Sequence, residues 1–274
     1  MKLLNSHKSN FTVLMPVHDL VKTDLLKKSI YSVLNNSLRP KEFLIIVDGF
    51  VSEEKIFFLN SLKKNKIVRI FFLKKIGLVR ALNYGIIKSK FNIIARADSD
   101  DINLKNRFFK QINFFIKNNL DILGSNIFEK IGKKNYVKNI LSSPSIFHFI
   151  FFNPINHMTV VFNKKKIMKL GLYPTIKYKE DYALWLLAKF SNYRLYNLNS
   201  SLVSVNFDKT RFSKRKNFES ILSEFKIFLL ILEKKFILSP LAIIVLILRI
   251  SYLALPNFIY FLLTKNFLRI KYKS

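Results

Sequence analysis

The sequence predicts an α/β protein with a mostly parallel sheet, helices on both faces of that sheet, and an apolar helical appendage at the C-terminus. Three observations support this prediction. Between residues 11 and 95, short apolar runs alternate with segments of helical spacing, and this alternation is typical of a parallel sheet that is covered on both faces. Aspartates directly follow several of the apolar runs. Beyond Phe218, long apolar stretches replace the alternation.

The alternating elements can be assigned in order. Short apolar runs with β-branched residues predict buried strands, and apolar residues that recur every three or four positions predict helices. Pro16 ends the first strand, Pro40 breaks the first helix, and Gly77 begins the third helix. The predicted strands are residues 11–17, 42–47, 67–73 and 91–95, and the predicted helices are residues 24–35, 52–64 and the segment from residue 77 onward.

Composition limits the classes of partner. The chain has 274 residues, enough for one large domain or one domain with an appendage. Lys and Arg number 47 against 17 Asp and Glu, a net charge of +30, which is compatible with nucleic acid, an anionic membrane surface or a phosphorylated substrate. The lysines are dispersed and no nucleic-acid-binding signature is present, so we expect no nucleic-acid partner. The absence of Cys excludes thiolate metal sites and fits a reducing compartment. Residues 1–10 lack the apolar run of a signal peptide, so we expect no secretion.

The fourth predicted strand runs into an acidic cluster, which consists of Asp98, Asp100 and Asp101. Carboxylates this close repel one another unless a cation neutralises them, and hard oxygen ligands suit Mg²⁺ or Mn²⁺. The alternative is an Asx-rich turn that caps a helix from Leu104 onward.

Other aspartates are expected at the same edge of the sheet. Asp19 and Asp48 also follow predicted strands, and ligands of open α/β sheets lie outside the carboxyl ends of the strands. The sequence has no Gly-rich Walker or dinucleotide motif. We therefore expect phosphate groups to be held through a metal ion.

An ordered set of motifs carries a resemblance to a known family. The motifs are Met15-Pro16-Val17 and Val47-Asp48-Gly49 at strand ends, residues 77–83, Asp98-Ser99-Asp100-Asp101, residues 153–160 and residues 180–185. Together, over roughly residues 11–215, they resemble family 2 glycosyltransferases of the Rossmann-like GT-A fold. The last two motifs resemble a bacterial subgroup that builds surface polysaccharides and includes amylovoran- and colanic-acid-type transferases.

The resemblance implies roles on the donor side. Asp48 would contact the uridine or other nucleoside of a nucleoside-diphosphate sugar, with a UDP-sugar as the donor expected by family analogy, and the loop after Pro16 and Val17 would close over the base. Asp98 would lie beside the ribose and the metal, and Asp100 would be the direct ligand of Mn²⁺ or Mg²⁺. Two positions depart from the family pattern. Val47 stands before Asp48 where many members have a second acid, and Phe50 stands where a small residue is common. The Gln-x-x-Arg-Trp motif of processive synthases is missing, which implies addition of one sugar per encounter.

Arginines are candidates for neutralising phosphate. Arg80 is placed on the donor side, and Arg96, Arg211 and Arg215 are further candidates. A solvated surface role is the alternative for each of them.

On the acceptor side, the resemblance implies that Asp181 is the catalytic base. A single base with direct attack by the acceptor inverts the anomeric centre. The alternative for Glu180 and Asp181 is two acids that interact with the dipole of an apolar helix. Glu180 and Trp185 would lie on the acceptor or phosphate side, as would Asn156 and His157 at the start of a strand over residues 158–162. A lone His is otherwise a structural donor.

We divide the chain into a catalytic domain, residues 1–217, and a C-terminal helical, membrane-associating region, residues 218–274. The apolar runs 241–248 and 250–264 flank Arg249, and neither alone reaches the roughly 20 residues of a spanning helix. Together they would span the membrane, or lie in its plane, or pack as an ordinary helical appendage.

These inferences predict an inverting, metal-dependent glycosyltransferase that adds one sugar to a lipid-linked glycan acceptor in O-antigen, capsule or exopolysaccharide synthesis. Its expected location is the cytoplasmic face of the bacterial inner membrane, at an anionic membrane surface. The alternatives are a nucleotidyl- or phosphotransferase on a similar sheet, and a non-catalytic membrane-bound scaffold.

Overall fold

The computed structural model describes residues 10–131, 134–206, 217–256, 259 and 270–271. Its strands, in chain order, are β1 (Phe11–Val17), β2 (Glu42–Asp48), β3 (Val68–Leu73), β4 (Ile93–Arg96), β5 (Ile102–Asn103), β6 (Ile122–Ile131), β7 (Lys134–Lys138), β8 (Val161–Asn163), β9 (Leu195–Asn206) and β10 (Ile270–Lys271). Its helices are α1 (Thr23–Leu34), α2 (Glu53–Ser61), α3 (Leu78–Lys88), α4 (Arg107–Lys117), α5 (Ile146–Phe151), α6 (Lys164–Lys169), α7 (Glu180–Phe190), α8 (Phe218–Lys234) and α9 (Ser239–Ala254). Short 3₁₀ turns cover Leu62–Lys64, His157–Thr159 and Phe236–Leu238.

The described strands form one sheet with two halves. Their order is β10-β7-β6-β8-β4-β1-β2-β3, with β9 beside β6 and β5 beside β9. Strands β4, β1, β2 and β3 are parallel, as the alternating pattern predicts. Strand β8 is antiparallel to β4 and β6, and the sheet continues antiparallel through β7. The parallel half therefore ends its strands at one edge, where the predicted aspartates lie.

The predicted strands and helices of the first hundred residues are confirmed within a few residues at their ends. The predicted strand over residues 158–162 is wrong in its first part, because Met158 lies in a 3₁₀ turn and β8 begins only at Val161. The turn forms because the Thr159 hydroxyl donates to the Asn156 carbonyl at 2.8 Å and accepts from the Ser125 amide at 2.9 Å. The candidates Arg211 and Arg215 lie outside the described residues.

The core has one apolar cluster on each face of the sheet. Side chains of a strand alternate between faces, so Leu14 of β1 joins the cluster under α3 and α7, whereas Val13 and Met15 join the cluster under α1, α2 and α4. Helix α3 lies very close to the sheet, since a Cβ atom at Gly85 would stand 2.3 Å from Leu14 Cδ1. The N-terminus of α3 lies at the carboxyl edge of the parallel strands, because α3 begins at Leu78, shortly after β3 ends at Leu73.

The C-terminal helices share the core under α7. Ile227 and Ile231 of α8 and Ala242 and Val245 of α9 are buried in that cluster. The segment Phe236–Ala254 is long and apolar enough to cross a membrane, with a mean hydropathy of 2.3. Its outer face is exposed, at Ile243, Ile244, Ile247 and Leu248. After α9 the chain returns to the sheet, where β10 pairs with β7.

Candidate active site

The acidic cluster lies at the carboxyl end of β4, next to the neighbouring parallel strand β1. One carboxylate oxygen from each of its residues falls within 4.8 Å of the others. The Ser29 hydroxyl of α1 donates to the Asp98 carbonyl at 2.6 Å and fixes the turn. Strand β5 lies between the cluster and α4, and the N-cap residue of α4 is Asn106. The acids of the cluster therefore do not cap that helix. Three converging hard oxygen donors fit Mg²⁺ or Mn²⁺.

Two buried arginines lie behind the acidic cluster. Arg96 Nη2 is 2.5 Å from Asp98 Oδ1. Burial lowers the pKa of Arg96, but the charge and hydrogen bond of Asp98, together with Tyr173 and Asp101, outweigh burial and keep this pKa above its ordinary value. Arg107 donates to Asn103 Oδ1 and to the Arg96 carbonyl, and burial lowers the pKa of Arg107 to about 9. The Arg96 Nε and Nη1 atoms have no hydrogen-bond partner among the described residues. A buried guanidinium with spare donors at this edge is suited to an anionic ligand.

Asp48 organises the loop in front of α3. Its Oδ1 accepts from the backbone amides of Ile76 at 2.7 Å and Gly77 at 3.2 Å. Gly77 has φ +87°, a left-handed conformation that suits glycine, and directly precedes α3. Pro16 and Val17 are buried at the end of β1. These residues border the donor side that the resemblance implies.

Asp181 is held in the first turn of α7. The Asn153 side-chain amide donates to Asp181 Oδ2 at 2.8 Å, and His157 Nδ1 lies 4.0 Å from the same oxygen. With Oδ2 engaged, Asp181 Oδ1 is the carboxylate oxygen left to act on a substrate. Asn153 belongs to a motif in the sequence, but nothing in the sequence assigns it this contact.

His157 stays uncharged in its surroundings. Burial, together with the charge of Arg96, lowers its pKa well below the ordinary 6.5. Its Nε2 lies 2.9 Å from the Tyr173 hydroxyl, and burial raises the pKa of that phenol, which therefore remains protonated. Trp185 packs edge-on to the imidazole, with ring centroids 6.1 Å apart. His157 is thus a neutral spacer between Asp181 and Tyr173, and no sequence signal identifies Tyr173 as its partner.

One cavity of about 1010 Å³ joins the two sides. Its wall also includes Gly77, Arg96 and Asn153. A cavity of this size is large enough for a nucleotide-sized ligand and part of a second substrate. The predicted site residues that line it are Arg80, Asp98, Asn156, His157, Glu180 and Asp181.

The other predicted residues are not among the described lining residues. Pro16, Val17 and Asp48 lie at the ends of β1 and β2, Asp100 lies in the acidic cluster, and Trp185 is fully buried behind His157. The first four share the sheet edge with the cavity, whereas Trp185 supports its wall from inside.

Comparisons with known proteins agree on one family. The sequence profile described as Glycosyl transferase family 2 matches residues 12–172. A UDP-Gal:alpha-D-GlcNAc-diphosphoundecaprenol beta-1,3-galactosyltransferase of Escherichia coli is 34% identical over 222 residues, which cover 79% of this chain and 81% of the relative. The amylovoran biosynthesis glycosyltransferase AmsE of Erwinia amylovora is 33% identical over 230 residues, covering 82% and 86%.

The fold has solved counterparts. The S. aureus TarS 1-349 structure in complex with UDP-GlcNAc aligns with a TM-score of 0.65 at 14% identity. The alignment covers 82% of this chain and 67% of that one, so this chain spans about two thirds of the length of that structure. At this identity the likeness shows the fold alone.

The lowered pKa of His157 predicts a pH dependence of stability. Below about pH 6.5 the unfolded chain binds a proton on this residue that the folded chain does not bind, so the free energy of unfolding falls as the pH falls, by up to about 1.4 kcal/mol per pH unit. We expect His157→Gln to reduce this slope in denaturant unfolding measured between pH 7 and pH 5. The substitution His18→Gln keeps His157 and should keep the slope; an identical slope in all three proteins would contradict the assignment.

Proposed function

The chain belongs to glycosyl transferase family 2, and on this premise we propose that it is an inverting, metal-dependent enzyme that transfers one sugar from a nucleoside diphosphate to a lipid-linked glycan. The observation that carries the proposal is that Asp98 and Asp181 line the same cavity. Family membership favours glycosyl transfer over nucleotidyl transfer and over a scaffold without activity.

The donor is proposed to bind at the carboxyl edge of the parallel strands. Asp48 holds the loop at Gly77, beside which Arg80 faces the cavity, so this loop and Arg80 would orient the nucleoside and the diphosphate. Asp98 and Asp100 would hold Mn²⁺ or Mg²⁺, which when bound neutralises charge on the departing diphosphate. The Escherichia coli relative is named for UDP-Gal, which supports a UDP-sugar as the donor of this chain.

The acceptor is proposed to be activated by Asp181. Its Oδ1 would take the proton from an acceptor hydroxyl, whose oxygen forms a bond to the anomeric carbon as the bond from that carbon to the diphosphate oxygen breaks. General-base assistance of this kind contributes about 10²–10⁴-fold in rate. Asn153 fixes the carboxylate through Oδ2, and His157, being neutral, does not compete for its charge. One displacement at carbon inverts its configuration.

The acceptor side of the cavity reaches α8. Glu219 and Lys226 of α8 line the cavity, and Leu222 lies three or four positions from each, on the same side of the helix. Leu222, Phe225 and Leu229 are exposed. An apolar strip therefore begins beside the cavity, which supports an acceptor that carries a lipid. The Escherichia coli relative is named for a diphosphoundecaprenol substrate, and we extend the same class of acceptor to this chain, in polysaccharide synthesis. Within the cavity, Asn156, His157 and Glu180 would face the acceptor.

The C-terminal region, residues 218–274, is proposed to lie in the plane of the membrane beside the catalytic region, residues 1–217. The exposed face of α9 is aliphatic, and the one arginine within α9, Arg249, points inward to Glu224. A single crossing by α9 would separate β10 from β7, with which it pairs. The intervening residues 255–269 are fewer than the roughly 20 that a return helix needs. The surplus of basic residues favours an anionic leaflet, and the proposed location is the cytoplasmic face of the bacterial inner membrane.

The proposed metal site predicts the effect of Asp100→Ala. Because Asp100 would be a direct ligand, the variant should lose the extra thermal stabilisation that Mn²⁺ adds to a UDP-sugar, and should lose transfer activity, while its own melting temperature stays close to that of the wild type. The control Asp24→Ala removes an exposed acid of α1 and should keep both properties. Metal-dependent stabilisation that survives in Asp100→Ala would remove the basis of the site.

The proposed base predicts a separation of binding from chemistry in Asp181→Asn. The amide keeps the shape but cannot accept the proton, so we expect kcat to fall by about 10²–10⁴-fold with donor affinity unchanged. Steady-state kinetics and donor titration measure the two quantities. The control Glu180→Gln changes the neighbouring acid and should lower kcat by less than Asp181→Asn does. A larger loss of kcat in Glu180→Gln would indicate that Glu180 is the base.

The in-plane arrangement predicts one-sided access. The chain contains no Cys, so single cysteines introduced at Glu53 and at Lys271 of β10 can be labelled separately with a membrane-impermeant thiol reagent. Both should react in inside-out membrane vesicles and neither in intact cells, because both would lie on the cytoplasmic side. High salt should not release the protein, since the apolar contribution is not screened. Labelling of Lys271→Cys in intact cells would indicate that α9 spans the membrane.

A further inference from the structure

A buried ion cluster connects the C-terminal helices with the helix that carries Asp181. Glu224 of α8 is 5% exposed. Its Oε1 lies 2.7 Å from Lys179 Nζ, and its Oε2 lies 3.0 Å from Arg249 Nη1 of α9. Burial raises the pKa of Glu224, but the two neighbouring cations outweigh burial and leave the pKa below its ordinary value. Glu224 is therefore an anion that joins three segments of the chain.

The two cations, Lys179 and Arg249, contact α7 on both sides of Glu180 and Asp181. Lys179 directly precedes Glu180 and Asp181. Arg249 Nη2 donates to the Tyr182 hydroxyl at 2.7 Å and to the Ile150 carbonyl at 3.0 Å, and the guanidinium lies over the Tyr182 ring at 4.9 Å. The residues immediately before Glu180 and immediately after Asp181 are thus both tied to Glu224.

The local backbone has features that oppose this arrangement. Tyr178 has φ +64°, a conformation that side chains other than glycine rarely adopt. Lys179 places a cation at the positive end of the α7 dipole, and its side chain does not cap the helix. Burial lowers the pKa of Lys179 as well. The conformational and electrostatic preferences of Tyr178 and Lys179 therefore do not explain why the chain turns into α7 here. The carboxylate of Glu224 does explain it, because it neutralises the Lys179 ammonium group and fixes its position.

Arg249, the residue that α9 contributes to the cluster, is also neutralised by Glu224. Arg249 interrupts an otherwise apolar helix, and an arginine that faces lipid is costly. Its partners here are Glu224, Tyr182 and Ile150, all on the protein side. Within the cluster, Arg249 of α9 is therefore neutralised by Glu224 and at the same time contacts Tyr182 of α7, the helix that carries Asp181.

We propose that Glu224 is a positioning residue, which through Lys179 and Arg249 holds the first turn of α7 so that the Asp181 carboxylate faces the cavity. The proposal rests on the proposed function only in taking Asp181 as the base. It assigns the C-terminal helices a second task beside membrane association, because they complete the support of the catalytic carboxylate.

The test is Glu224→Gln in the full chain. Glutamine keeps the size of the side chain but removes the charge that holds both cations, and a displacement of about 1 Å at a reacting group costs up to about 100-fold in rate. We expect kcat to fall by about 10- to 100-fold, with the KM for the donor and metal-dependent donor binding within about twofold of the wild type. The matched control is Glu233→Gln on the same helix, an exposed residue that pairs with Lys234, and it should keep the wild-type kcat.

A double-mutant cycle separates positioning from mere stabilisation. If Glu224 acts through Asp181, Glu224→Gln should cost little further rate in the Asp181→Asn background, because residues that act as a unit are not additive. The same fold loss in both backgrounds, or a wild-type kcat in folded Glu224→Gln, would overturn the proposal. Failure of the base assignment is distinguishable, since Asp181→Asn alone would then keep its rate.

If Glu224→Gln does not fold, Lys179→Gln provides the milder variant. It removes one of the two cations through which Glu224 is proposed to act and leaves the ion pair between Glu224 and Arg249 in place. A fall in kcat that disappears in the Asp181→Asn background supports the proposal, and an unchanged kcat contradicts it.

Discussion

The repulsion among the carboxylates of the acidic cluster is the constraint on which the rest of the site depends. Their oxygens lie within 4.8 Å of one another at the end of β4, so the turn must be anchored from several directions. Ser29 of α1 fixes its backbone, Arg96 pairs with Asp98, and Arg107 of α4 holds the Arg96 carbonyl. These anchors leave a polar edge of fixed shape, and the proposed metal ion would complete its neutralisation.

The two halves of the sheet supply the two sides of one reaction centre. The parallel strands place donor-side residues at their carboxyl ends, as their register requires. Asn153, His157 and Asp181, which lie outside the parallel half of the sheet, line the same cavity as Asp98. The helices after residue 217 pack on the core under α7, so the wall that carries Asp181 depends on residues from the end of the chain.

Much of this arrangement follows from local sequence signals. The strands β1 to β4, the helices between them and the acidic cluster are predicted because each has a periodicity or a strand-end position of its own. The pairing of Asn153 with Asp181 spans 28 positions and that of His157 with Tyr173 spans 16, and no periodicity encodes such contacts. The predicted strand is wrong at Met158 because the apolar neighbours of this residue mask a turn that is held by the hydrogen bond from the Thr159 hydroxyl to the Asn156 carbonyl. Glu224 has no local signal, since its partners lie on α9 and in front of α7.

The central claim is that Asp181 activates an acceptor that attacks the anomeric carbon directly, opposite the departing diphosphate. The most direct measurement is the configuration of the product linkage, read from the ¹H NMR coupling of its anomeric proton after transfer from a UDP-sugar with an α linkage. The account predicts a β linkage, formed by one inversion. An α linkage would show retention and would contradict direct displacement assisted by a single base.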